Sequence, residues 1–466
     1  MLIGRTEELN RLNEYYNAVG NSLIMLYGRS SIGKTELIRE FLKDKKAFYY
    51  NAALASQLGQ TELMAMHMQR TGLLADYEYN AIKELAGNDP RELYVQLLKK
   101  TSRIDADTKI VVIEEFQNIV KNSKDFMSVV EELVNGGMYD EKVMVIVTSS
   151  SVSWVENSMV SAIGKCALSI STFIKLKELS FVDIVRMFPK HSVLDDMVIY
   201  AITGGVPGYL VQFSDNMPLK DNIINNILKD GMLLRTAGCD YIREELRETS
   251  LYNTILYCIA GGENKLNELH AHTGFGRDKI SVYLKNLIER EIVEKIFSYD
   301  YAGKEYTRKG LYRIKSGFTE FWYRYIYPNE SQLCLMGAEA FYNEYIADNI
   351  YAFAKEAFVK VSTEFIHLLD SMNRLEIKIA RSGRWWGKNG DIDIIACDTD
   401  GKYVVGKCNW DNDIFTFTMF EELMLNVRQA GIGNDYVYLF SKDSFDDELR
   451  NFAKDSNVKL ISLKEL

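Results

Sequence analysis

One short stretch limits the fold more than any other. In "SLIMLYGRSSIGKTELIREFLKD", Gly28-x-x-x-x-Gly33-Lys34-Thr35 lies between an apolar run and a segment with Leu37, Ile38, Phe41 and Leu42 at helical spacing. A buried strand that turns through glycines into a helix is the context in which this spacing grips a phosphate. Gly28 and Gly33 let backbone N–H groups turn toward the anion, and the helix presents its positive end. The expected cradle runs through Gly28, Arg29, Ser30, Ser31, Ile32, Gly33, Lys34, Thr35 and Glu36. Lys34 supplies charge for the β- and γ-phosphates, and the Thr35 hydroxyl is offered to Mg²⁺. ATP and Mg²⁺ are therefore the expected cofactors.

A phosphate loop needs an acid at the end of a neighbouring strand. "KIVVIEEFQNI" places Glu114 and Glu115 after four apolar residues. Glu114 is expected in the metal shell, and Glu115 is expected to polarise the attacking water. Asp is usual at the first position. Glu114 adds a methylene in a shell with little geometric tolerance, so slow hydrolysis is expected. "KVMVIVTSS" ends a further apolar run in hydroxyl residues, and Thr148 is either near the γ-phosphate or a plain strand end. Apolar runs alternating with amphipathic helical stretches predict an α/β fold with a mostly parallel sheet covered on both faces.

The chain has 466 residues, room for about three domains, and 47% hydrophobic with 26% charged residues excludes a disordered chain. No apolar run reaches the ~18 residues of a membrane span. The charged start "MLIGRTEELNRLNEYY" does not read as a signal peptide. Six scattered cysteines without metal-type spacing read as reduced thiols. A cytoplasmic protein without membrane association is expected. The formal charge of −10 gives no global attraction to nucleic acid, so any DNA contact needs a local basic face.

Residues 176–245 read as helical, broken by the turn "GGVPGYL". "TILYCIAGGENKLNELHAHTGFGRDKISVYLKNLIEREIVEKI" reads as three helices and a strand, the layout of a winged helix-turn-helix. Its third helix buries Ile280, Leu284, Leu287 and Ile288, and turns Arg277, Lys279, Ser281 and Lys285 outward. Tyr301–Arg308 is the expected wing, with Lys304, Arg308 and Lys309 near its strands. Asp278, Glu289, Glu291 and Glu294 offset much of this charge, so double-stranded DNA and a protein partner are both open.

In their order along the chain, "GRTEEL", the Gly28–Thr35 loop, "VVIEEFQ", "VTSSSVSW", "LKELSFVDI" and "TGGVPGYL" resemble the archaeal-type ATPases of the AAA+/STAND branch. "FWYRYIYP" and "DIDIIACD…VVGKCNW…YLFSKDSF" are similar to the variety that ends in a DUF234 domain. The resemblance implies a P-loop core over residues 1–175, a helical lid over 176–245, a winged helix over 246–328 and a restriction-endonuclease-like α/β domain over 329–466. It also implies that Pro207 contacts nucleotide from the lid.

The last domain resembles the PD-(D/E)XK nucleases, in which a helical Glu, a strand Asp and Glu-x-Lys surround a metal. Glu356 matches the helical acid, Asp393 the strand Asp, and Asp391 stands where Glu is frequent. The third motif is Lys407-Cys408-Asn409. A cation replaces an acid at the metal position, so a degenerate, inactive site is expected, with a Lys407–Asp393 ion pair in place of the metal. Glu421 and Glu422 remain as acids that could have migrated. The expected function is an ATP-dependent switch. The alternatives are an ATP-gated DNA endonuclease and an ATP-binding scaffold without turnover, with self-association open.

Overall fold

The computed structural model describes residues 3–86, 89–123, 125–246, 248–301, 310–388 and 390–466. The chain divides into two compact units, Met1–Glu178 and Leu179–Leu466.

The first unit is built on a five-stranded sheet of β1 (Ser22–Tyr27), β2 (Ala47–Asn51), β3 (Thr108–Glu114), β4 (Lys142–Ser149) and β5 (Thr172–Lys175). The order is β2-β3-β4-β1-β5, and every neighbouring pair is parallel. Parallel neighbours require crossovers, and these put helices on both faces. Both β1 and β3 are buried along their whole length, as their unbroken apolar runs predict. Alternate residues serve separate cores. Leu23, Met25, Val111, Ile113, Val145 and Val147 pack on one side. Ile24, Leu26, Ile110, Val112, Met144 and Ile146 pack on the other. This strand order brings the carboxyl ends of β1, β3 and β4 together, the place where open α/β sheets bind ligands.

The second unit opens with helices. Ser180 and Asp183 form a capping box on Phe181–Met187, and Val193–Thr203 ends at Gly204 in the left-handed region. Gly205 is also left-handed, at φ +75°, and a Cβ there would lie 2.3 Å from the Leu179 carbonyl oxygen. Only glycine fits that approach. Three helices follow, Thr249–Ala260, Leu266–Thr273 and Arg277–Glu289, and then β6 (Val293–Ile296) pairs antiparallel with β7 (Leu311–Ile314). The third helix buries Ile280, Leu284 and Leu287. The expected wing beyond Tyr301 lies outside the described residues.

The unit ends in a mixed sheet of β8 (Arg381–Trp386), β9 (Asp391–Cys397), β10 (Tyr403–Asn409), β12 (Tyr436–Ser441) and β14 (Val458–Ser462), ordered β14-β12-β10-β9-β8. Two short strands, β11 (Ile414–Phe415) and β13 (Ser444–Phe445), pair beside it. The quoted hairpin is β9–β10, with Gly406 opposite Ile394. Helix Lys355–Ser371 carries Glu356, and helix Phe417–Ala430 buries Phe420, Leu423 and Val427. No described helix is long and apolar enough to cross a membrane.

Candidate nucleotide site and a cation-filled carboxylate cluster

The loop between β1 and helix Lys34–Phe41 is shaped by backbone geometry. Gly33 sits at φ +95° and Ser31 at φ +64°, left-handed positions that side chains rarely adopt. At Gly28 a Cβ would stand 2.8 Å from the Leu176 carbonyl oxygen, so the loop passes too close to the chain after β5 for any other residue. Ile32 is fully buried, whereas Ser30, Ser31 and Glu36 are exposed. Arg29 pairs with Glu178 at 3.7 Å.

Lys34 is buried, and its ammonium donates to the Gly28 carbonyl at 2.8 Å, the Arg29 carbonyl at 3.2 Å and Ser150 Oγ at 2.8 Å. Burial pushes its pKa down, against the pull of Glu115 and Glu114. Thr35 donates its hydroxyl to Glu114 at 2.9 Å. The extra methylene of Glu114 thus carries its carboxylate directly onto the loop threonine. Tyr49 on β2 donates to the same carboxylate, and its own hydroxyl is held protonated by burial and then by Glu114.

Glu115 leaves β3 at φ +52° and turns to the other side. It accepts from the Ser150 backbone N–H at 3.1 Å, and also from the Ser150 hydroxyl and the Gln117 amide. The two acids therefore do different things. Glu114 is tied to Thr35, and Glu115 is tied to the tip of β4 beside Lys34. Thr148 lies at the end of β4. Its side chain is fully buried, and its hydroxyl accepts from the Glu115 backbone N–H at 3.2 Å. Ser150, two residues on, is the hydroxyl beside Lys34. Thr148 and Ser149 are both fully buried, and a four-residue hydroxyl run does not reveal that Ser150 is the one that meets Lys34.

Arg5 was legible only as part of "GRTEEL". It is buried, and its guanidinium donates to the Ile32 carbonyl at 3.1 Å and the Lys177 carbonyl at 2.6 Å. It pins the phosphate loop to the segment after β5. Pro207 opens the short helix Pro207–Leu210 in the second unit.

In the second unit, Glu356, Asp391 and Asp393 converge, and three cations fill the space between them. Arg384 reaches Glu356 at 2.7 Å and Asp393 at 3.5 Å. Lys407 reaches Asp391 at 2.8 Å and Asp393 at 3.2 Å. Arg313 on β7 reaches Glu356 at 3.1 Å and Glu294 at 2.7 Å. Asp393, almost wholly buried, also accepts from the Cys408 backbone N–H at 2.9 Å. Burial pushes Asp393 up, with Lys407 opposing, whereas Asp391 is drawn down by Lys407 against its own burial. Burial works against the Lys407 ammonium, but the two aspartates raise its pKa.

Asn409 does not join this cluster. Its side chain closes a turn, donating to the Asn412 carbonyl at 2.9 Å and accepting from the Asn412 backbone N–H at 3.2 Å. Glu421 and Glu422 are exposed, off the face of their helix that is buried through Phe420, Leu423 and Val427. Arg384 and Arg313 were missed in the sequence because pairing across strands and between subdomains is not a local pattern. Arg277, Lys279, Ser281 and Lys285 are all exposed on their helix. Lys285 is 3.8 Å from Glu289, Arg277 bonds Asn267, and Lys279 lies over the Phe275 ring at 5.2 Å.

Comparison with known proteins bears on both units. Residues 2–213 match a family described as an ATPase domain predominantly from Archaea, and residues 322–425 match DUF234, described as archaeal and bacterial proteins of unknown function. An uncharacterised protein of Methanocaldococcus jannaschii is 30% identical over 417 residues, 88% of this chain and 88% of its own length. An uncharacterised ATP-binding protein of the same organism is 48% identical over 46 residues, 10% of this chain and 78% of that protein. Among solved structures, a Walker-type ATPase of Pyrococcus abyssi is similar with a TM-score of 0.50 at 15% identity, covering 69% of this chain and 96% of that one. At that identity the likeness is one of fold.

Proposed function

Because this chain belongs to the archaeal-type P-loop ATPases that carry a C-terminal DUF234 domain, we propose that it is a slowly hydrolysing ATP–Mg²⁺ switch. Its nucleotide state would be reported through a winged helix and a nuclease-like domain that no longer cuts. The observation that carries the reading is the division of labour between the two acids. Glu114 and Thr35 offer carboxylate and hydroxyl oxygens, the hard donors that suit Mg²⁺. Glu115, held by Ser150 beside Lys34, is placed to orient a water. Lys34 bonds to the Gly28 and Arg29 carbonyls of the loop. An arriving phosphate would exchange those neutral acceptors for charged ones, which bond more strongly. The short ATP-binding relative supports the choice of nucleotide.

The four-part organisation, 1–175, 176–245, 246–328 and 329–466, belongs to this proposal. So does the role of the carboxylate cluster. Its acids do not fit a metal, because each is held by a cation on its own chain. An ion arriving there would have to displace Lys407 and Arg384 against like charge. The exposed Arg277, Lys279, Ser281 and Lys285 support double-stranded DNA as the partner of the winged helix. The acidic neighbours on the same helix keep its affinity modest.

Phosphate release measured with and without duplex DNA, beside a Lys34→Ala control, tests the reading. Turnover that depends on Lys34 and changes with DNA is expected. Turnover unaffected by Lys34→Ala would overturn it.

A further inference from the structure

Away from both sites, three potential metal ligands meet where two helices of the three-helix module join. Cys258 lies in the last turn of helix Thr249–Ala260, Glu263 lies in the following turn, and His272 lies in the last turn of helix Leu266–Thr273. One ligand atom from each lies within 4.8 Å of the others. The chain folds back through Gly262 at φ +99°, and the Glu263 backbone N–H donates to the Cys258 carbonyl at 3.0 Å. Glu263 Oε1 contacts His272 Nδ1. Glu263 Oε2 is buried, and the carboxylate also faces the Cys258 thiol. A thiol, a carboxylate and an imidazole gathered at one point are a donor set that a divalent ion can take over from the protons they share.

We propose that Cys258, Glu263 and His272 form a three-ligand site for a thiophilic divalent cation of the zinc type, with water in the fourth position. A thiolate, an imidazole nitrogen and a carboxylate oxygen are the zinc donor types, and the sulfur selects against Mg²⁺. Bond lengths of about 2.0–2.3 Å put tetrahedral ligand atoms about 3.3–3.7 Å apart, so His272 Nδ1 and Glu263 Oε1, now in contact, would part to admit the ion. His272 is exposed and Glu263 sits in a turn, so both can make that adjustment. Binding through sulfur requires the thiol to give up its proton to solvent.

The ion would brace more than its own ligands. The Asn264 carbonyl, next to Glu263, accepts from the Tyr312 backbone N–H at 2.8 Å. The residue after Tyr312 is Arg313, which reaches Glu356. Metal loading would thus stiffen the path from the three-helix module to the carboxylate cluster.

The test is cobalt titration of the chelator-treated full chain without nucleotide. One equivalent of Co²⁺ should give a thiolate-to-cobalt charge-transfer band that Zn²⁺ abolishes. Cys258→Ser should remove the band. His272→Ala, at an exposed side chain whose loss should not disturb folding, should weaken binding at least about tenfold. Cys334→Ser, at an exposed cysteine elsewhere, should change nothing. Absence of the band in the native chain, or its survival in Cys258→Ser, would overturn the assignment.

Discussion

Arg384 Nη1 lies 2.7 Å from Glu356 Oε2, and the same guanidinium stands 3.5 Å from Asp393. A strand before the hairpin thus supplies the charge that holds together two acids from separate elements. Burial raises Asp393 and opposes ionisation of Glu356, but Arg384 keeps Glu356 below its ordinary value. Arg384→Ala should therefore destabilise the fold by about 1–2 kcal/mol, well under the loss for a fully buried pair because the Glu356 side chain is half exposed. Urea unfolding at neutral pH measures it. A loss under about 0.5 kcal/mol would mean that the guanidinium is dispensable.

The same cluster predicts a negative result in a cleavage assay. Supercoiled plasmid incubated with the full chain and Mn²⁺ or Mg²⁺ should stay intact. Nicking that disappears in Asp393→Ala would restore the nuclease reading.

Glu115 and Ser150 give a kinetic prediction. Glu115→Gln should leave ATP affinity within about twofold and slow phosphate release by about 100-fold, a usual size for loss of a general base. Ser150→Ala should slow release to a smaller degree, because it loosens Glu115 without removing it. Calorimetry and single-turnover phosphate release separate the two effects. Equal turnover in Glu115→Gln and the native chain would end the role given to Glu115.

Arg5 donates charged hydrogen bonds to two carbonyls, one in the phosphate loop and one after β5. Such bonds are each worth about 1.5–3 kcal/mol. Arg5→Ala should lower stability by about 2–4 kcal/mol, and ATP should bind more weakly because the loop loses its anchor. Unchanged affinity in a folded Arg5→Ala chain would confine Arg5 to a structural role.

Asp196 gives a pH dependence. It is buried, 3.8 Å from His191, and burial, then Asp195 and Asp215, raise its pKa to about 7. A carboxyl whose folded-state pKa is raised binds its proton more tightly in the folded state than in the unfolded one. Its stability contribution is full below pH ~4 and is lost as pH rises to about 7, amounting to at most about 4 kcal/mol. Asp196→Asn should flatten the stability profile between those values. A profile unchanged by the substitution would contradict this.

Sequence by itself determined what is local. Glycine spacing, the lysine and threonine after it, unbroken apolar strands and the 3.6-residue period of helix Arg277–Glu289 are each contained within a single strand, turn or helix. The β9–β10 hairpin and its Lys407-Cys408-Asn409 ending were legible for the same reason. Tertiary structure alone decided which side chains meet. It put Ser150 rather than Thr148 beside Lys34, closed Asn409 onto a turn, turned Glu421 and Glu422 outward, and brought Arg384 and Arg313 onto Glu356. These outcomes depend on strand register and on contacts between residues far apart in the chain. An arginine carries no mark of its partner until packing brings a buried carboxylate within reach.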